Sequence, residues 1–104
     1  IFLINRYLKK TVEVKFENIQ SGQNSIELEY YLLESEDNSS MESDCRKTYG
    51  VEIIKKYCSV PQESKSYKDI YSSREEIDTL VELLANNNVT PVHLPYILDD
   101  LLGV

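Results

Sequence analysis

The chain has 104 residues, the length of one compact domain. Acidic residues outnumber basic ones 18 to 11, a formal charge of −7 that makes a phosphate backbone a poor partner. No run approaches the ~20 apolar residues of a membrane span, and three Gly with three Pro exclude collagen-like and linker-like chains. The charge is uneven. Residues 11–44 hold nine acids and one base, Lys15; residues 71–104 hold six acids and one base, Arg74.

Strands come first in the chain. From Leu8 the even positions read Leu8, Lys10, Val12, Val14 and Phe16, and from Val12 onward the apolar residues alternate with Glu13, Lys15 and Glu17. That period of two marks a half-buried strand. Residues 18–24 contain Ser21-Gly22 and read as a turn. Ile26, Leu28, Tyr30 and Leu32 then alternate with Glu27, Glu29, Tyr31 and Leu33, so the two runs form an antiparallel hairpin. Residues 34–44 carry five acids, four serines and only Met41 to bury, the composition of a mobile loop. Residues 48–58 form a third strand, with Tyr49, Val51, Ile53 and Tyr57 on one parity and Gly50 marking a bulge or a close backbone approach. Residues 60–65 read as a second loop and residues 66–71 as a short fourth strand.

Helices follow. Ser73-Arg74-Glu75-Glu76 is a capping box, and Ile77, Leu80, Val81 and Leu84 recur at i, i+3, i+4 and i+7, a core-facing stripe. Asn86-Asn87-Asn88 ends this helix, because Asn tolerates the left-handed conformation. A second helix carries Ile97, Leu98, Leu101 and Leu102 on its apolar side. Its start is open between Pro91 and Pro95, and a single turn at Pro91 with the helix proper from Pro95 fits proline's missing amide better. The result is one α+β domain over residues 1–104. It is an antiparallel meander of three to four strands within 5–71, covered on one face by two C-terminal helices within 73–102.

Cys45 and Cys58 match neither zinc-ligand spacing nor a CxxC pair and read as free thiols. The chain opens at Ile1 rather than Met, as in a processed, tagged or truncated product. Ile1 to Ile4 is too short for a signal-peptide core.

The runs Glu29-Tyr30-Tyr31-Leu32-Leu33-Glu34, Lys47-Thr48-Tyr49-Gly50-Val51-Glu52 and Ser73-Arg74-Glu75-Glu76, with Asn88-Val89-Thr90-Pro91-Val92-His93-Leu94, are similar to a family of small proteins of unknown function from clostridia and related Firmicutes. The similarity spans residues 24–100. It implies a bacterial, anaerobic, cytoplasmic setting and brings no activity, cofactor or catalytic residue with it.

Chemistry is sparse. His93 is the sole histidine, so neither a zinc site nor a His-based nucleophile has its partners. Gly22, Gly50 and Gly103 are too scattered for a phosphate cradle. No metal or other cofactor is expected. Eight tyrosines, with two Phe and no Trp, are the least ordinary feature. Tyrosine suits strands and interfaces alike. Parity places Tyr31, Leu33, Ile54 and Cys58 opposite Leu28, Tyr30, Val51 and Ile53. Two helices cover one face of a sheet, so Tyr31, Leu33 and Ile54 are the candidate interface, rimmed by Glu27, Glu29, Glu52 and Lys56, for a protein partner or a homodimer. The leading functional expectation is a non-enzymatic protein-interaction or regulatory module. An immunity- or antitoxin-like inhibitor of a basic partner comes second, and a small-ligand binder around His93 third.

Overall fold

A computed structural model describes residues 2–18, 22–37 and 46–103. Four strands, β1 (Phe2–Asn18), β2 (Gly22–Asp37), β3 (Arg46–Tyr57) and β4 (Val60–Tyr71), are followed by two helices, α1 (Arg74–Asn86) and α2 (Leu94–Leu102). The strands form one antiparallel sheet in sequential order, β1-β2-β3-β4, and α1 packs on β1, β2 and β3. This is the α+β meander with helical cover that the sequence predicts.

The register sorts the side chains. Leu28 opposes Val12, Tyr30 opposes Ile53, and Leu32 opposes Val51, so these share the face beneath α1. All but the half-buried Val12 bury completely or nearly so, together with Ile77, Leu80, Val81 and Leu84 of the helical stripe. The stripe works as read. Ser73 caps α1, its Oγ accepting from the Glu76 amide at 3.4 Å, and Asn88 takes φ 51° just beyond the helix end. Outside the apolar layer, the Glu34 carboxylate stands 4.0 Å from both Lys47 Nζ and Arg74 Nη1. Arg74 also reaches Asp78, and Lys9 Nζ lies 3.5 Å from Asp78. Each pair is long and worth little alone, but the chain of pairs ties the start of α1 to β1, β2 and β3.

A polar contact crosses the core. The Tyr30 hydroxyl, buried under the α1–α2 connection, donates to the Val89 carbonyl at 2.9 Å. Burial pushes its pKa up to about 12, against about 10 for an exposed tyrosine. Between those values the folded protein keeps a proton that the unfolded chain releases. Stability from this group is therefore complete below pH ~10 and lost as pH rises through ~12, about 2–3 kcal/mol in all. Urea midpoints between pH 9 and 12 should fall with pH. Tyr30→Phe should flatten that fall while costing about 1 kcal/mol near neutrality for the lost hydrogen bond. An equally steep fall in Tyr30→Phe would remove Tyr30 as the cause.

Several boundaries differ from the sequence reading. β2 runs on to Asp37, so residues 34–37, expected in the acidic loop, are strand, and Glu34 and Ser35 are buried. They pair with β1 on one side and β3 on the other, which satisfies the backbone whatever the composition. The rest of that loop, residues 38–44, lies outside the described residues, and so does Cys45. The turn expected at 18–24 is shorter, since Phe16 pairs with Asn24 and Asn18 with Gly22. Residues 60–65 are not a loop but the first half of β4. They join β3 through Cys58 and Ser59, both at positive φ (50° and 65°), as a two-residue hairpin requires. Cys58 sits exposed in this turn as a free thiol rather than on a sheet face. The start of α2 agrees to within one residue: a turn at 91–93 precedes the helix, which begins at Leu94 with Pro95 in its first turn, where no helical amide bond is owed. Leu94 and Leu98 are buried, but Leu101 and Leu102, expected in the core, are 48% and 37% exposed.

Candidate functional site: the outer face of the sheet

A bulge decides what lies on the face away from the helices. The pairing slips between Leu8 and Lys10, with Lys9 as the extra residue. Before it, Arg6 opposes Leu33 and Leu8 opposes Tyr31; after it, Lys10 opposes Tyr30 and Val12 opposes Leu28. The bulge thus moves Leu8 from the helix-covered face, where uniform alternation with Val12 places it, to the outer face beside Tyr31. Ile4, opposite Ser35, joins it there.

The three expected interface residues separate. Leu33 faces outward by register but is only 4% exposed, and it stands outside the core cluster. Its cross-strand neighbours are Arg6 and Gly50, and β4 closes over Gly50 so tightly that a Cβ there would stand 2.8 Å from the Lys68 Cα. A partner has no access to it. Tyr31 and Ile54 are half-buried. The Arg6 guanidinium lies 4.4 Å from the Tyr31 ring centroid, a cation–π geometry, and bridges to Glu52 at 2.5 Å. Tyr31 donates to Glu29 at 3.0 Å, and Lys56 Nζ meets the same carboxylate at 3.2 Å. Burial first, then the bond to Glu29, raises the Tyr31 hydroxyl above its ordinary pKa, with Arg6 and Lys56 pulling the other way. The openly apolar part of the face is therefore Leu8, 52% exposed, and Ile4, 42% exposed. The strip reads Ile4, Leu8, Tyr31 and Ile54, crossed by two ion pairs of zero net charge. Parity alone misses Ile4 and Leu8; only the extra residue at Lys9 would reveal them.

His93 is exposed and precedes α2, with Nδ1 2.8 Å from Thr90 Oγ1. It lines neither the groove between α1 and α2 nor the one between α2 and β4. Among the described residues no three His, Cys, Asp or Glu side chains converge to hold a metal ion, and no helix is long and apolar enough to cross a membrane.

Sheet order, register and helical cover define a four-stranded antiparallel α+β domain with one helix-free face. Residues 9–104 match the model of a family of unknown function, DUF6514, and the chain belongs to that family. No curated protein and no solved structure matches it.

Proposed function

We propose that the protein is a non-enzymatic protein-interaction module that self-associates through the outer face of its sheet. The observation that carries this is the Lys9 bulge, which sets the exposed Leu8 beside Tyr31, and Ile4 further along the same strand, on the face that neither described helix covers. Exposed apolar side chains gathered on one sheet face mark an interface more often than apolar residues scattered over the surface do. The charge pattern favours a second copy. Two chains at −7 each repel overall, but Arg6 with Glu52 and Lys56 with Glu29 leave the strip neutral. A two-fold axis through a neutral patch of paired charges lets each positive group face a negative one.

Light scattering at increasing concentration should show a species at twice the monomer mass. Leu8→Glu and Tyr31→Glu should each return it to monomer, because an unpaired carboxylate would be buried at the contact. Leu33→Ala, altering a residue no partner reaches, should leave the dimer's dissociation constant within about twofold if the domain stays folded. A monomer at every concentration would overturn the proposal, as would a dimer indifferent to Leu8→Glu.

A further inference from the structure

We propose that the groove between α1 and α2, on the opposite side of the molecule from the self-association face, receives a cationic amphipathic helix of a partner protein. The groove has a volume of about 480 Å³ and is walled by Tyr71, Leu80, Leu83 and Leu101, with Glu75 and Glu76 at its rim. Leu80 forms part of the core beneath it, while Leu83 and Leu101 stand 44% and 48% exposed. A single exposed leucine needs no explanation. Here two, from two different helices, meet at one open apolar groove.

The charge around it selects the occupant. Of the six acids and one base in residues 71–104, Glu75 and Glu76 line this groove, while Asp78 and Glu82 line a separate one with Lys9 and Lys10. That base, Arg74, is directed to Glu34 and Asp78, and among the described residues no basic side chain lines the groove. A second copy placed symmetrically, groove to groove, would bring acid to acid. A segment with an apolar stripe flanked by Lys or Arg would match both the leucines and the rim, and the charges would also speed its association. The groove's length sets the form of that segment. From Glu75 to Leu83 α1 advances about 12 Å at 1.5 Å per residue. That is about two turns of a bound helix, room for apolar anchors at i, i+3 or i+4, and i+7.

The probe is a fluorescent synthetic helix of about five turns with one leucine stripe and lysine flanks, titrated by anisotropy at ~150 mM salt, where weak surface attraction is largely screened. The expected result is saturable one-to-one binding that weakens at least about tenfold in the Leu83→Ser/Leu101→Ser double variant. Both leucines are exposed, so circular dichroism should show the fold retained. Should that variant unfold, Glu75→Lys/Glu76→Lys supplies the second test: it should weaken the leucine–lysine helix and strengthen a leucine–glutamate one. Tyr31→Glu should leave binding unchanged, separating this surface from the dimer face. The proposal is overturned by absence of saturable binding. It is equally overturned by equal binding of a peptide with the same lysines but its leucines scattered around the helix, or by affinity indifferent to both double variants.

Discussion

Leu80→Ala should lower the unfolding free energy by about 2–5 kcal/mol, the cost of deleting a buried leucine side chain. Leu80 lies in the middle of α1, 4% exposed, in one cluster with Leu28, Tyr30, Leu32 and Ile53 of the sheet. Alanine is the better helix former, so the helix itself loses nothing and the whole cost falls on packing. Urea denaturation should show a lower midpoint with an unchanged slope, the sign of lost stability without a change of state. Leu83, three residues on and 44% exposed, is the internal control: Leu83→Ala should stay within about 0.5 kcal/mol. If the two leucines lose equally, α1 does not pack through the face described.

Gly50→Ala should cost about 1–3 kcal/mol or more, as overpacking does. Tyr49 pairs with Tyr71 and Val51 with Tyr67, so Gly50 alone faces the three residues of β4 between them. Asp69, in the middle of that bulge, takes φ 57° and accepts from Thr48 Oγ1. A Cβ on Gly50 would overlap the Tyr67 carbonyl oxygen and crowd the Lys68 Cα. These are backbone atoms and cannot rotate aside as a flexible side chain would. β4 must move outward, and amide hydrogen exchange should show its protection falling while that of α1 follows only the global stability. An unchanged urea midpoint in Gly50→Ala would mean that β4 does not close over β3 at this point. Gly103 makes the contrast: nothing lies near a Cβ there, and only its φ of 69° resists a side chain.

The candidate site was partly legible. Tyr31 and Ile54 fall on the outer face, as period-two parity places them, and Gly50 is the close approach its position in a strand suggests. Parity does not place Leu8, and the reason is physical. A one-residue bulge inverts every side chain on the N-terminal side of it. With Tyr7 and Leu8 both apolar, either register would look acceptable in sequence. Leu33 has the right parity but the wrong accessibility, because the fold of β4 over Gly50 is a non-local contact. The first half of β4 reads as loop in the sequence because Val60 to Ser66, all exposed in the fold, show no apolar alternation. An edge strand with neither face covered has no apolar period to display. Its conformation comes from backbone pairing with β3, which side-chain hydropathy does not encode.

Local signals were enough for the α+β order, the alternation that builds Leu28, Tyr30 and Leu32 into the core, the capped α1 with its buried stripe, and the Asn88 terminus. Each is a property of a few neighbouring residues acting through helix or strand geometry, so each can be read from spacing. Tertiary structure decided how far β2 runs, which face Leu8 takes, that Leu33 is closed off, and that Leu101 ends beside Leu83 in an acid-rimmed groove instead of the core. Those outcomes depend on which strand pairs with which, and on how far α2 reaches over the sheet. They are contacts between residues tens of positions apart, whose energies no local period records.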